Sequence, residues 1–235
     1  MAEKIRCRVA EIQEHGERVY SLFLQPELSA PNFAPGQYLN LALDEHQPGA
    51  AWPESRSFSI ASAPKERSRL RITYAVKGHF STRMEAKLHP GSPVWVDMPY
   101  GEFIINPETD VCLLAGGTGV AAFTAFLAGL PANYPHQVQL FYGARRPSQL
   151  IYRGLVEEAA QRCPGLQVRY FAEQDWDGAH CLPGRIETEA VFRSVTDPLA
   201  LTYYLAGPPG MVQVLMMGLI GRGVDARKIV AEAWE

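Results

Sequence analysis

"VCLLAGGTGVAAF", Val111 to Phe123, decides how this chain folds. Its first five residues are apolar without alternation, the pattern of a strand covered on both faces. Gly116, Gly117 and Gly119 then break the run, and an Ala/Phe-rich helix follows. A buried strand that hands over to a helix through glycines opens a parallel βαβ unit. The rest of the chain keeps that alternation. "QVQLFYGAR", "LQVRYFAEQ", "LTYYLAGPP" and "KIVAEAWE" read as strands; "QLIYRGLVEEAAQRC", "IETEAVFRSV" and "GMVQVLMMGLIGRG" read as the helices between them. The expectation is a doubly wound α/β domain over residues 106–235, with a parallel sheet, opening near Asn106 and Pro107.

Upstream the pattern is different. Short alternating runs are separated by turn signals, among them Gly16 in "EHGE", "APKERS" and Pro90-Gly91. This spacing predicts an antiparallel, six-stranded, Greek-key-like β-barrel over residues 1–105. "RSFSIAS", Arg56 to Ser62, is one of its strands, with Phe58 and Ile60 on one side and Ser57, Ser59 and Ala61 on the other. "HFSTRMEAKL" is the one helix expected there, capped by Ser81 or Thr82.

A length of 235 residues suits two domains, and 47% apolar with 20% charged residues is the balance of soluble globular proteins. A net charge of −3 without a clustered basic face argues against nucleic-acid and anionic-membrane surfaces. The four cysteines are too far apart for a C-x-x-C metal or iron–sulfur site. "MAEKIRCRVA" has no apolar signal region, and the apolar stretch after Val111 is broken by glycines. A reduced, cytoplasmic, metal-free protein with no membrane span is expected.

Two turns carry chemistry. "GGTG" sits where a helix N-terminus offers unpaired N–H groups, which suits a pyrophosphate. It lacks both the G-x-G-x-x-G spacing and the P-loop Lys, so a tight βα turn packed with small residues is the other reading. "LAGPPGMV" places Gly207, Pro208, Pro209 and Gly210 after a later strand, with a helix starting near Met211. It reads as a rigid corner or as the second wall of a crevice at the strand ends.

Five pieces in order, "RSFSIAS", "GHFST", "PYGEF", "GGTG" and "AGPPGM", resemble the ferredoxin–NADP reductase superfamily over nearly the whole chain. The resemblance implies a flavin-binding barrel followed by an NAD(P)H-binding domain, with the flavin between them. It implies that Arg56, Ser57, Phe58 and Ser59 hold the flavin. Arg56 would clamp its phosphate, and Phe58 would lie on the ring where most relatives have tyrosine. Ser59, the catalytic candidate, would bond near N5. Gly78, His79, Phe80, Ser81 and Thr82 would bind flavin phosphate; Tyr74 is either a further ring contact or a core tyrosine. Gly116, Gly117, Thr118 and Gly119 would face the nucleotide pyrophosphate, and Arg145 its ribose or phosphate. Gly207, Pro208 and Pro209 would position the nicotinamide. Trp234 would either cover the flavin or pack the last strand. Ala206 stands where the family often has cysteine, a departure that some flavin reductases of the family share.

The activity implied is hydride transfer from NAD(P)H to flavin, then electron delivery to free flavin or to a separate ferredoxin, flavodoxin or oxygenase component. An electron-transfer subunit of a larger complex, without turnover of its own, is the alternative. FAD is expected, with FMN as the alternative. Phe171, Ala172 and Glu173, in place of a Ser-Arg pair, favour NADH over NADPH, although Arg145 and Arg146 lie nearby. Replacing Arg56 by alanine is expected to weaken flavin binding far more than it lowers folding stability, measured by flavin titration beside a denaturation curve.

Overall fold

The computed structural model describes residues 2–233. The chain divides after Ile104 into two compact units. The first holds β1 (Glu3–Glu14), β2 (Val19–Pro26), β3 (Tyr38–Ala42), β4 (Ser55–Ser59), β5 (Leu70–Ala75), helix α1 (His79–Lys87) and β6 (Pro93–Tyr100). The strands form one antiparallel sheet in the order β4-β3-β6-β1-β2-β5. Its two edges approach each other just beyond β4, where the Ala61 N–H donates to the Arg71 carbonyl at 2.7 Å. The expected six-stranded, nearly closed barrel is therefore present.

The alternation of "YLNLA" explains the inside of this barrel. Leu39 and Leu41 are fully buried with Leu22, Leu24, Ile60, Leu70, Ile72, Val94 and Val96. Helix α1 adds Phe80 and Met84 to the same core. Its cap differs from expectation: Gly78 is the N-cap, and Ser81 lies at the third helical position. The Ser81 hydroxyl reaches back to accept from the N–H groups of Lys77 (3.0 Å) and Gly78 (3.1 Å). It thus supplies the returning half of a capping box rather than the cap. "RSFSIAS" is less one-sided than its alternation implies, because Ser59 and Ala61 are also buried.

The second unit holds β7 (Val111–Gly116), α2 (Ala121–Gly129), β8 (Val138–Ala144), α3 (Arg153–Arg162), β9 (Leu166–Ala172), β10 (Leu182–Pro183), α4 (Thr188–Ser194), β11 (Thr202–Gly207), α5 (Pro209–Gly221) and β12 (Ile229–Ala233). All its strand pairs are parallel, in the order β10-β9-β8-β7-β11-β12. Every residue of β7 is buried, as its unbroken apolar run predicts. The two-residue β10 is too short to leave a pattern in sequence. Helix α5 begins at Pro209, not near Met211, since proline has no N–H to leave unpaired in a first turn.

The chain winds outward from β7 through β8 and β9 to β10, then returns to the other side of β7 as β11. The switch in direction falls between β7 and β11, and each ends in a glycine-rich turn. These turns touch. A Cβ on Gly119 would lie 2.4 Å from the Ala206 carbonyl oxygen, and one on Gly116 would lie 2.5 Å from Met211 Sδ. Gly207 is confined less tightly, 2.9 Å from Met211 Cε and 3.0 Å from the Gly116 backbone by the same construction. Gly117 differs: its φ is +53°, and a Cβ there meets nothing within 4 Å.

Alanine at these positions separates packing from backbone freedom. Gly119→Ala should cost about 1–3 kcal/mol through overpacking, and more if the turns cannot part. Gly117→Ala should cost only the left-handed backbone, roughly 1–2 kcal/mol. Thermal melts should place the Gly119 variant below the Gly117 variant.

Candidate functional site

In the first unit the candidate residues gather where β4 ends against the start of α1. The Arg56 side chain is 57% exposed. It is aimed by a hydrogen bond from Nη1 to the Ser55 carbonyl (2.8 Å) and by stacking 5.4 Å over the Phe80 ring. Phe80 is 3% exposed, so it serves as a fixed apolar floor under a solvent-facing cation. Ser57 donates to Asn40 Oδ1 at 2.7 Å. Phe58 is half-buried and meets Tyr74 edge-on at 6.2 Å between ring centres.

Tyr74 is a core tyrosine. It is 4% exposed, lies 5.6 Å from the Tyr20 ring, and burial pushes its phenol well above the ordinary range. Ser59 is 9% exposed and sits opposite Tyr38 in the ladder. Tyr38 stacks on Tyr100 at 5.9 Å. The Tyr100 phenol is raised first by burial, then by its hydrogen bond to buried Asp97. Sequence reading passed over Tyr38, Tyr100 and Asp97. The available signal was Asp97 itself, a carboxylate inside the otherwise apolar "VWVDM".

Around α1, His79 and Thr82 are exposed while Phe80 points into the core. No side chain caps the helix at Gly78, and a Cβ at that glycine meets nothing within 4 Å. The first turn therefore presents open backbone. A phosphate-bearing ligand fits this end: a bare helix start, the exposed Arg56 fork and a hydroxyl at Thr82.

In the second unit, Gly116, Gly117, Thr118 and Gly119 lie beside Gly207, Pro208 and Pro209 at the carboxyl ends of β7 and β11. Thr118 is half-buried, and Pro208, Pro209 and Gly210 are exposed. Of Gly116, Gly117, Gly119 and Gly207, Gly117 is the one with room beside it, so it is free to admit a ligand backbone-close. Arg145, at the end of neighbouring β8, is exposed. Arg146 is held by Gln174 Oε1 (3.2 Å) and Asp175 (3.3 Å), and Arg185 pairs with Glu173 at 2.9 Å. The Asp177 carboxyl is held down to about 2, chiefly by the His180 backbone N–H and then by the His180 ring. Trp234 lies outside the described residues.

Three of the cysteines are held as thiols rather than thiolates. Burial pushes the Cys7 thiol up to about 12 and also raises Cys112 and Cys181. Among the described residues no group of three or more His, Cys, Asp or Glu is placed to hold a metal. None of their helices is long and apolar enough to cross a membrane.

Residues 113–216 match the oxidoreductase NAD-binding domain. The reductase component of propane 2-monooxygenase from Rhodococcus jostii (strain RHA1) is 29% identical over 242 residues, covering 97% of this chain and 62% of that protein. The corresponding component from Mycolicibacterium smegmatis (strain ATCC 700084 / mc(2)155) is 27% identical over 231 residues, covering 92% of this chain and 64% of that protein. The chain thus spans less than two thirds of the length of these curated relatives. An Amycolatopsis cytochrome P450 reductase shares the fold with a TM-score of 0.84 at 24% identity, over 99% of this chain and 70% of that one. The FAD/NAD-binding domain of a nitric oxide dioxygenase from Vibrio cholerae O1 biovar El Tor does so at 0.83 and 21%, over 98% of both chains. With the two-unit architecture and the ordered motifs, these likenesses lead to one conclusion: residues 113–216 carry an oxidoreductase NAD-binding domain, and the chain as a whole is similar to the ferredoxin reductase-like FAD- and NAD(P)-binding oxidoreductases.

Proposed function

We propose that this protein is an NADH-preferring flavin oxidoreductase that supplies electrons to a separate oxygenase or ferredoxin-type protein. Residues 1–105 bind FAD and residues 106–235 bind the nicotinamide nucleotide. The observation that carries this reading is the meeting of two glycine-rich turns at the switch point between β7 and β11, where open α/β sheets bind ligands. The acceptor is inferred from relatives named as reductase components of an oxygenase.

Bound flavin supplies the redox chemistry, accepting a hydride equivalent and passing electrons on. The chain supplies placement. Arg56 offers a guanidinium fork to the flavin phosphate, and the segment from Gly78 to Thr82 offers the backbone N–H groups of His79, Phe80 and Ser81 in the first turn of α1, those of Gly78 and Thr82 being taken by the Ser81 hydroxyl and the Gly78 carbonyl. Phe58 gives the ring an apolar support, and Ser59 gives N5 a hydroxyl partner. Gly117 and Thr118 hold the nucleotide pyrophosphate; Gly207, Pro208 and Pro209 fix the nicotinamide end. Ala206 contributes no thiol to this arrangement.

The preference for NADH rests on charge. Arg146 and Arg185, near the carboxyl ends of β8 and β9, are already engaged by Gln174, Asp175 and Glu173. A 2′-phosphate beside Arg146 or Arg185 would meet their carboxylate partners first, and Arg145 is left for the ribose or the shared phosphates. NADPH should bind about tenfold or more weakly than NADH, since tenfold corresponds to ~1.4 kcal/mol. The purified protein should show a flavin absorption band that NADH bleaches anaerobically, and it should reduce ferricyanide with NADH. A chain that binds flavin and NADH but turns over neither ferricyanide nor added flavin would instead be an electron-transfer subunit. Absence of binding to both would remove the assignment.

A further inference from the structure

The loop joining β3 to β4 carries a carboxylate at each end, Asp44 and Glu54. Arg83, on α1, reaches both. Its Nη1 donates to Glu54 Oε2 at 2.6 Å, and its Nη2 to Asp44 Oδ1 and Oδ2 at 3.1 and 3.0 Å. Only 20% of the Arg83 side chain is exposed, against 55% of Asp44 and 42% of Glu54. The other oxygen of Glu54, Oε1, lies 3.8 Å from Arg56 Nη2. Glu54 thus stands between two guanidinium groups, tightly bound to one and at the outer limit of an ion pair with the other.

A carboxylate and a phosphate compete for the same fork of donors on an arginine. If Glu54 closed fully on Arg56, it would occupy the donors that a phosphate needs. The middle of the loop is fixed independently, by His46 packed 5.2 Å from Trp52 and 5.9 Å from Trp95. Loss of Arg83 would therefore leave Glu54 in place but released toward Arg56. It would also change the local count from two cations and two anions to one cation and two anions.

We infer that Arg83 is a positioning residue for flavin binding: by holding Glu54 and Asp44 it keeps Glu54 from closing Arg56 to the flavin phosphate. This rests on the reading of Arg56 as the phosphate clamp. The test is fluorescence titration of FAD into Arg83→Gln, Glu54→Gln, the double variant and Arg56→Ala, each with a thermal melt. Arg83→Gln should bind FAD about tenfold or more weakly, as expected for one lost opposing charge near a phosphate. The double variant should recover wild-type affinity, and Glu54→Gln alone should bind at least as tightly as wild type. A merely structural role for Arg83 would not be rescued by removing the Glu54 charge. Wild-type affinity in Arg83→Gln, or a double variant as weak as Arg83→Gln, would overturn the inference. So would weaker binding by Glu54→Gln alone, which stands even if Arg83→Gln fails to fold. Undiminished FAD binding by Arg56→Ala would instead overturn the underlying reading of the site.

Discussion

Gly119 and Gly207 let the backbones of two neighbouring turns meet with no side chain between them. That contact determines the working end of the second unit. Parallel strands deliver their turns to the same edge of a sheet, but ordinary side chains would hold adjacent turns apart. Here β7 and β11 end flush, and α2 and α5 leave from one rim. Met211 then packs against the bare Gly116, closing the small space that the glycines leave. The crevice is the outcome of a packing requirement met at three glycines, and the fourth, Gly117, is left open on its surface.

The first unit solves a different problem, which is to keep polar groups usable at the end of an apolar barrel. Phe80 does this by belonging to the core while carrying Arg56 over its outer side. The charge near Arg56 is managed across three elements: the loop acids Asp44 and Glu54, the strand arginine and the helix arginine Arg83. Each exposed pair is individually weak in water, and salt screens it further. Their value lies in geometry, because a shared carboxylate can be directed toward one partner or the other.

The architecture was legible in sequence because its signals are local. Five unbroken apolar residues before Gly116 are enough to call for a buried parallel strand, and "YLNLA" is enough to call for a half-buried antiparallel one. The motif order from Arg56 to Met211 pointed to the family. The purposes of individual residues were less accessible. Gly116, Gly119 and Gly207 read as ligand approach, yet their first duty is contact between turns separated by some ninety positions in the chain. The link from Arg83 to Asp44 and Glu54 crosses 39 and 29 positions, and nothing in the local pattern of "HFSTRMEAKL" announces it. Ser81 was read as a cap because its residue type suits that role; only the backbone shows it placed three positions inside the helix.

That bare glycine at the start of α1 has a thermodynamic consequence. A helix of nine residues with a glycine cap and no capping side chain gives up part of the stabilisation that serine or aspartate would give its first turn, roughly a few tenths of a kcal/mol. An anion bound at that end would take over the missing role. Cofactor occupancy and order in this part of the barrel would then be linked by mass action, each gain in one raising the other. The glycine would make the folded state of the helix report on the presence of its ligand.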